Sequence, residues 1–331
     1  MRKKALITGI TGQDGSYLAE LLVSLQYDVH GMVRRVAAED QRQRLSRIAD
    51  HVQGGSVTLH QGSLESYPSI CRVVQDIRPD EVYHLAAQSF VAASFEDEFS
   101  TMNTNINGVH FVLDACRRYA PEARVYFAGS SEMFGKAERV PQDEETPLHP
   151  RSPYGISKVA GFHLARYYRE RNDPPLFVST GILFNHESQR RGMEFVTRKI
   201  THGAARIAHG KADRLELGNP DARRDWGYAP DYVRAMWLML QQERPDDFVV
   251  ATGETRTVRE FAEAAFESAG LNPGKHIVWN NPADLRPAEV DLLVGNPAKA
   301  YRVLDWRPAY GFRQMVNIMV RSDWYLVAKE K

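Results

Sequence analysis

The sequence predicts an α/β protein built on a doubly wound parallel sheet, and two observations predict it. Short apolar segments, such as residues 5–7 and 81–85, alternate with stretches of helical periodicity, such as residues 67–77 and 99–119. A glycine-rich turn separates the first apolar segment from the first helical stretch. Alternating strands and helices form parallel sheets, because each helix carries the chain back to begin the next strand in the same direction.

The glycine-rich turn is typical of a dinucleotide site of the Rossmann type. Residues 5–7 lead into TGITGQDGSYL, and its glycines let the backbone turn tightly and approach a pyrophosphate at the N-terminus of the next helix. The spacing is G-x2-G-x2-G, whereas G-x-G-x2-G is commoner, and a simple turn is the alternative interpretation.

The end of the second strand indicates which dinucleotide is bound. This strand, residues 28–33, ends in Arg34 and Arg35, at the place where an NAD site carries an acid for the ribose hydroxyl. Guanidinium groups pair with phosphate, so these arginines favour NADP. The alternative is a solvated basic loop.

Two further strands end in small or polar residues. Residues 57–60 lead to Ser63 and Leu64, and residues 81–85 lead to an Ala-Ala-Gln-Ser segment at 86–89. Small residues at the carboxyl end of a parallel strand permit close approach to a cofactor.

A tyrosine and a lysine four residues apart form the candidate catalytic pair. A capping serine and a proline at residues 152–153 predict the start of a helix, and the spacing of Tyr154 and Lys158 places both on one face of it. A phenol ionises near pH ~10, and a neighbouring cation favours the ionised form. Tyr154 is therefore predicted to be a general acid/base. The alternative is a solvated pair, as predicted for Tyr325 and Lys329.

The strand before this helix delivers polar groups to the same place. The sequence VYFAGSSE is an apolar strand that ends in Ser130, Ser131 and Glu132. The carboxyl end of a parallel strand is where a site is expected.

The second half of the chain has a different composition. From residue 184 the sequence becomes rich in basic residues, which are Arg190, Arg191, Arg198, Lys199, Arg206, Lys211, Arg214, Arg223 and Arg224. In a neutral protein this cluster predicts a polyanionic small molecule as ligand, and surface charge on a helix at 197–209 is the alternative.

We therefore predict two domains. Residues 1–183 form the dinucleotide-binding domain, and residues 184–331 form mainly the smaller, interleaved substrate domain. A segment near residues 225–255 is expected to return to the sheet, because residues 248–253 have the composition of a strand.

Charge and cysteine content exclude several classes of function. Lys plus Arg and Asp plus Glu are equal, at 42 each, so no net charge favours nucleic acid or a membrane surface. Cys71 and Cys116 have neither metal-ligand spacing nor a disulfide framework, which predicts no metal and a reducing compartment. No apolar run approaches a membrane span or a signal-peptide core, so we expect a cytoplasmic protein.

These motifs together resemble the extended short-chain dehydrogenase/reductase family. Within it the chain is similar, over nearly its full length, to the GDP-mannose 4,6-dehydratases, in TGITGQDGSYL, HLAAQSFV, SSEMFG, PRSPYGISK, GILFNHES, RRGMEFVTRKIT, RRDWGYAPDYV and RPAEVDLLVGNPAKA. The resemblance implies an intramolecular redox reaction. Bound NADP+ takes a hydride from carbon 4 of the hexose, water is lost across carbons 5 and 6, and the hydride returns to carbon 6.

The resemblance also implies roles for the candidate catalytic residues. Tyr154 removes the proton from the carbon-4 hydroxyl, Lys158 holds the phenolate and the nicotinamide ribose, and Ser130 hydrogen-bonds the carbon-4 oxygen. Glu132 takes the carbon-5 proton and, with Ser131, helps the carbon-6 hydroxyl to leave as water. A second base agrees with the chemistry, because a ketone at carbon 4 acidifies the proton at carbon 5.

Binding residues are implied in the same way. For the cofactor they are Gly9, Ile10, Thr11, Gly12, Gln13, Asp14, Arg34, Arg35, Ser63, Leu64, Leu85, Ala86, Ala87, Gln88, Ser89, Tyr154, Lys158, His186 and Arg191. For the GDP-sugar they are Asn185, Val196, Lys199, Arg224, Arg286 and Glu289. Relatives form homodimers through helices near 99–119 and 154–171, and some form homotetramers through the loop after Arg35.

Two departures from the family pattern leave alternatives open. The family usually has Thr at Ser130 and Asp at Ser63, where the side chain meets adenine. Ser130 leaves room for a related substrate such as GDP-D-glycero-manno-heptose. A nucleotide-sugar epimerase or 4-reductase of the same fold is a further alternative, although such enzymes usually lack an acid at the position of Glu132. A non-catalytic NADP-sensing scaffold would show a broken Tyr154 or Lys158, and both are present.

Overall fold

The computed structural model describes residues 2–34, 45–282 and 292–330. Three of the predicted binding residues, Arg35, Arg286 and Glu289, lie outside the described residues.

A seven-stranded sheet forms the centre of the molecule. The strands of this sheet and of three small two-stranded sheets are, in chain order, β1 (Lys4–Thr8), β2 (Asp28–Val33), β3 (Val57–Gln61), β4 (Glu81–His84), β5 (Arg124–Ser130), β6 (Phe177–Leu183), β7 (Asn185–Glu187), β8 (Leu215–Glu216), β9 (Arg223–Arg224), β10 (Trp226–Tyr228), β11 (Asp247–Val250), β12 (Arg256–Thr257) and β13 (Ile277–Val278). The central sheet has the order β11-β6-β5-β4-β1-β2-β3, and every neighbouring pair in it is parallel. The prediction of a doubly wound parallel sheet is confirmed.

Helices connect these strands. They are α1 (Gln13–Ser24), α2 (Ala49–Gln53), α3 (Tyr67–Ile77), α4 (Val91–Glu96), α5 (Glu98–Met102), α6 (Gly108–Tyr119), α7 (Pro153–Glu170), α8 (Val196–Ala208), α9 (Ala229–Leu240), α10 (Val258–Ser268), α11 (Pro273–His276), α12 (Ala298–Val303) and α13 (Phe312–Ala328). The helical pattern at 99–119 is interrupted, because a π-helical segment, Asn103–Asn107, lies between α5 and α6.

The two faces of the sheet are covered by different helices. Buried side chains of α3, α6 and α7 form one hydrophobic core with the sheet, and those of α1, α9 and α12 form a second core on the opposite face. Helix α3 shows why: Ile70, Val73, Val74 and Ile77 recur at helical spacing and are all at most 3% exposed.

The C-terminal half contributes both to the sheet and to a separate core. Strand β11 pairs with β6, so the segment near 248–253 returns to the sheet as predicted. Helices α8, α10 and α13 instead surround a third core. The division into domains at residue 183 stays a prediction.

Local signals fix the start of α7, the helix that carries the candidate catalytic pair. The hydroxyl of Ser152 accepts a hydrogen bond from the Gly155 N–H at 3.0 Å, and Pro153 occupies the first turn. Both features were predicted from the sequence, and together they set the position at which Tyr154 emerges.

Within residues 2–34, 45–282 and 292–330, no helix combines the length and the hydropathy that crossing a bilayer requires. The same residues bring together no group of three His, Cys, Asp or Glu side chains suited to a metal ion.

Candidate active site

A cavity of about 980 Å³ opens at the carboxyl ends of the central strands. Parallel α/β sheets place ligand sites there, because the loops after neighbouring strands diverge and leave a crevice. Most of the predicted site residues line this cavity, which we call the main cavity. They are Gly9, Thr11, Gly12, Gln13, Asp14, Arg34, Ser63, Leu64, Leu85, Ala86, Ala87, Gln88, Ser89, Ser130, Ser131, Glu132, Tyr154, Lys158, Asn185, His186, Arg191 and Arg224.

Two positions of the turn between β1 and α1 require glycine. Gly9 has a φ of 75°, and a Cβ there would lie 2.9 Å from the Ala86 backbone nitrogen. A Cβ at Gly15 would lie 2.2 Å from the Gly9 carbonyl oxygen. Gly12 is the N-cap of α1 and has no side chain to occupy the first N–H groups of the helix, which lack intrahelical partners. Those groups are donors for an anion at the edge of the cavity.

Tyr154 and Lys158 both lie buried on α7, with 8% and 6% of their surface exposed. The Lys158 ammonium lies 5.7 Å from the centre of the Tyr154 ring and donates a hydrogen bond to the Ala128 carbonyl oxygen at 2.8 Å. It also lies 5.3 Å from the centre of the Phe127 ring. The helix therefore places the phenol and the ammonium side by side, as the spacing predicts.

The pKa of Tyr154 differs from the sequence prediction. Burial raises it to about 12, although a hydrogen bond from Ser130 and the charge of Arg191 act in the opposite direction. Burial also lowers the pKa of Lys158 to about 8. Burial of both groups thus opposes the effect that the sequence analysis expects of a neighbouring cation, because it disfavours both charges.

Ser130, Ser131 and Glu132 lie where β5 ends. The strand stops at Ser130, and a short 3₁₀ turn, Ser131–Met133, follows directly. The Ser130 hydroxyl accepts a hydrogen bond from the Glu132 N–H at 3.2 Å, which holds the turn. All three side chains line the main cavity with Tyr154 and Lys158. The structure thus brings together two hydroxyls, a carboxylate, a phenol and an ammonium.

Asp14 and His186 form an ion pair on the cavity wall. His186 Nε2 lies 2.9 Å from Asp14 Oδ2, and His186 Nδ1 lies 2.8 Å from the Phe184 carbonyl oxygen. Burial by itself raises the pKa of Asp14, but the charge of His186 and hydrogen bonds from His186 and Gln13 outweigh it and lower the pKa. Burial likewise lowers the pKa of His186, and the charge of Asp14 outweighs it and raises the pKa.

Arg191 is held against an aromatic pair that the sequence analysis missed. Its guanidinium lies 3.6 Å from the centre of the Phe195 ring, and Phe195 packs edge-on against Phe90 at 5.5 Å. Arg191 Nε lies 3.3 Å from a Glu187 carboxylate oxygen. Phe90 and Phe195 also line the main cavity. The position of Phe90 directly after Ser89 was the available signal, but only the fold brings residue 195 to it.

Three predicted residues lie elsewhere. Ile10 is fully buried in the core shared by α1 and α9, so it supports the turn from behind. Val196 is the first residue of α8 and does not line the main cavity. Lys199 lines a second, smaller cavity of about 290 Å³ together with His202, Arg206 and Arg214.

Comparison with known proteins decides the family. The model of the family described as GDP-mannose 4,6 dehydratase matches residues 6–319. The chain belongs to this family. GDP-mannose 4,6 dehydratase 2 of Arabidopsis thaliana is 49% identical over 337 residues, which span 100% of this chain and 89% of that relative. GDP-mannose 4,6 dehydratase of Drosophila melanogaster is 45% identical over 347 residues, which span 99% of this chain and 87% of that relative.

A solved structure shows the same fold. UDP-glucose 4-epimerase of Thermus thermophilus, in complex with NAD, has a TM-score of 0.81 at 26% sequence identity and covers 97% of this chain and 98% of that chain. The resemblance to the GDP-mannose 4,6-dehydratases that the motifs predict is confirmed. The chain is an enzyme of the dehydratase, or hydro-lyase, class.

Proposed function

We propose that this enzyme converts GDP-mannose to GDP-4-keto-6-deoxymannose with loss of water, using NADP that is regenerated within each turnover. One observation carries the proposal beyond family membership. Glu132 lines the same cavity as Ser130, Tyr154 and Lys158, and its charge raises the pKa of Tyr154. An acid beside the tyrosine is what elimination requires in addition to oxidation.

The residues of the glycine turn fit a nicotinamide dinucleotide. Gly9 and Gly15 let the turn pack closely against the backbone of residues 85–86 and of the turn itself, and the first N–H groups of α1 provide donors for a pyrophosphate. Arg34 follows β2, lies exposed and lines the main cavity, so it supports a 2′-phosphate and hence NADP. When bound, NADP supplies the hydride acceptor and a positive charge next to the reacting sugar.

Tyr154 is the proposed base for the carbon-4 hydroxyl. With a pKa raised to about 12, the phenol must first lose its own proton, and a further nearby positive charge would favour the phenolate, which then accepts the proton of the carbon-4 hydroxyl. The Ser130 hydroxyl, which lowers that pKa, is placed to hydrogen-bond the carbon-4 oxygen. Lys158 is fixed on the Ala128 carbonyl and orients the phenol and the ribose.

Glu132 is the proposed base for carbon 5. Once carbon 4 is a ketone, the proton at carbon 5 is acidic, and a carboxylate can remove it while water leaves from carbon 6. Ser131 assists the departing hydroxyl. The turn at the end of β5 is what allows one strand to supply the hydroxyl for carbon 4 and the acid for carbon 5.

The guanosine diphosphate portion of the substrate is proposed to extend toward the basic C-terminal half. Asn185 and Arg224 line the main cavity, and Lys199 lines the second cavity with His202, Arg206 and Arg214. Guanidinium groups bind phosphate oxygens in a bidentate way. A nucleotide sugar is the substrate class that matches both cavities.

We also propose a homodimer formed through α5 and α7. Phe99 on α5 is 90% exposed, and Ile156 and Tyr167 on α7 are 45% and 57% exposed. Exposed apolar side chains that lie together on two neighbouring helices are typical of a protein–protein interface. Sedimentation of the purified enzyme distinguishes a dimer from the tetramer that some relatives form.

The experiment that tests the function is a mass measurement. The enzyme is incubated with NADP and GDP-mannose, and separately with GDP-D-glycero-manno-heptose, which the smaller Ser130 leaves open as an alternative. We expect GDP-mannose to give a product lighter by one water, with no net change in NADPH. Stoichiometric formation of NADPH would instead identify an enzyme that oxidises the sugar without returning the hydride, and a product of unchanged mass an epimerase.

Variants of two glutamates make the test specific. E132Q is expected to bind NADPH normally and to form no dehydrated product. The matched control is E138Q, which alters an exposed glutamate in the following loop and is expected to leave product formation unchanged. Dehydration by E132Q at a near-normal rate would show that Glu132 is not the carbon-5 base.

A further inference from the structure

An acidic side chain lies where the proposed dinucleotide needs positive potential. Asp14 is in the first turn of α1, whose N-terminus begins at Gly12 and borders the main cavity. The N-terminus of a helix attracts anions through its free N–H groups and its dipole. A carboxylate in the first turn opposes that attraction, because it repels the same phosphate groups.

The Asp14 carboxylate is held by His186 and by the neighbouring Gln13 side chain. Asp14 Oδ2 lies 2.9 Å from His186 Nε2, and Oδ1 accepts a hydrogen bond from Gln13 Nε2 at 3.0 Å. The Gln13 side chain also donates to the His186 carbonyl oxygen at 3.0 Å and accepts from the Ser188 hydroxyl at 2.8 Å. Both carboxylate oxygens are therefore engaged by donors, and the segment after β6 is fastened to α1.

The partners of His186 determine its charge. Its Nδ1 faces a backbone carbonyl oxygen, which only accepts hydrogen bonds, so Nδ1 carries a proton. Its Nε2 faces the Asp14 carboxylate, which also only accepts when it is ionised, so Nε2 carries a proton as well. The ring is then an imidazolium, and it stacks on Tyr232 with the ring centres 4.7 Å apart. Asp14 and His186 together have no net charge.

We infer that His186 is a positioning residue that cancels the charge of Asp14, so that the N-terminus of α1 accepts the phosphate groups of the dinucleotide. This inference rests on the proposed function, because it concerns how the proposed cofactor is bound. It assigns His186 an action through Asp14 in addition to any contact of its own.

The charge of Asp14 also reaches the catalytic pair. Burial is the main influence on the pKa values of Tyr154 and Lys158, and the negative charge of Asp14 raises both values. Arg191 is the other charged group that acts on Asp14 and His186, and Glu132 is the other acid that acts on Tyr154. Loss of the imidazolium leaves the effect of Asp14 on the pair uncompensated.

Three variants test the inference. H186Q keeps a hydrogen-bond donor for Asp14 but removes the positive charge, D14N removes the negative charge, and D14N/H186Q removes both. The dissociation constant for NADPH is measured by fluorescence titration for each. One uncompensated charge beside an anion predicts about tenfold weaker binding by H186Q. D14N/H186Q is expected to bind NADPH about tenfold more tightly than H186Q, since it leaves no acid unpaired. D14N alone measures what Asp14 itself contributes to binding.

A matched control separates this effect from general loss of a histidine. His30 lies 3.4 Å from the Asp28 carboxylate but does not line the main cavity, so H30Q is expected to bind NADPH as the wild type does. The pH profile of turnover gives a second readout. In H186Q the limb of the profile that reports the ionisation of Tyr154 and Lys158 is expected to move to higher pH, because the charge of Asp14 raises both pKa values. In D14N/H186Q this limb is expected to move back.

The NADPH affinities of these variants decide whether His186 acts through Asp14. Normal NADPH binding by H186Q, or failure of D14N/H186Q to recover binding, would overturn the inference and leave the proposed function intact. If H186Q does not fold, D14N and D14N/H186Q decide: similar NADPH binding by the two supports an action of His186 through Asp14, and about tenfold weaker binding by D14N/H186Q than by D14N overturns it. A wild-type enzyme that binds no NADPH would overturn the proposed cofactor and this inference together.

Discussion

Replacing Asp323 with alanine tests a buried ion pair that supports the active site from a distance. Asp323 on α13 is 0% exposed and Arg198 on α8 is 5% exposed. Arg198 Nε donates to both carboxylate oxygens at 3.0 Å, and the Thr201 hydroxyl donates to one of them at 2.6 Å. Arg198 also donates to the carbonyl oxygen of Arg191, which lines the main cavity, at 3.1 Å. D323A therefore leaves a buried guanidinium without its carboxylate.

The burial of both partners sets the magnitude of the effect. Removing one partner of a buried pair costs about 3–5 kcal/mol, because the remaining charge stays out of water. The unfolding entropy of a 331-residue chain is about 0.7 kcal/mol/K, from about 2.1 cal/mol/K per residue. The midpoint of thermal unfolding is therefore expected to fall by about 4 to 7 °C.

Thermal unfolding followed by circular dichroism measures this shift. The matched control is E267Q, which removes the partner of Arg313 in an ion pair between α10 and α13 whose side chains are 56% and 74% exposed. An exposed pair contributes about 0–1 kcal/mol, so E267Q is expected to shift the midpoint by about 1 °C or less. A D323A midpoint within about 1 °C of that control would refute the reasoning.

Three further predictions follow from the site. Y154F removes the proposed base and is expected to lower turnover about 10²- to 10⁴-fold while leaving NADPH affinity near normal, as single-turnover kinetics and fluorescence titration check. R34A is expected to weaken NADPH binding about tenfold or more and NADH binding little, because only the former carries a 2′-phosphate, and paired titrations measure the ratio. Burial lowers the pKa of His84 to about 3, so this histidine contributes stability that is present above pH ~6.5 and is lost as the pH falls toward 3. Between pH ~6.5 and ~5 the free energy of unfolding, measured by denaturant titration, is expected to fall by on the order of 2 kcal/mol less in H84N than in the wild type. An equal fall in both proteins would contradict the assignment.

Much of the fold was predictable because local patterns and global topology agree. The glycine turn, the capped start of α7 and the apolar strands each have short-range causes, and the strand–helix alternation then leaves few topologies. That Glu132 and Tyr154 line one cavity was also predictable, because Glu132 comes directly after strand β5 and Tyr154 lies in the first turn of the helix α7 that follows it.

Features that depend on distant segments were not predictable from spacing. Asp14 and His186 are far apart in sequence, and only the packing of the segment after β6 on α1 brings them to 2.9 Å. The pKa of Tyr154 rises because burial outweighs the hydrogen bond from Ser130 and the charge of Arg191, and burial is set by the whole cavity. Lys199 faces a second cavity because α8 belongs to a core separate from the sheet.

The central claim is that one nicotinamide takes a hydride from carbon 4 and returns it to carbon 6 of the same sugar while Glu132 acts at carbon 5. GDP-mannose carrying deuterium at carbon 4 tests it most directly, with the product examined by nuclear magnetic resonance. The account predicts that the deuterium is recovered at carbon 6 of a dehydrated product. Deuterium that accumulates in free NADPH, or that is absent from carbon 6 of the product, would contradict it.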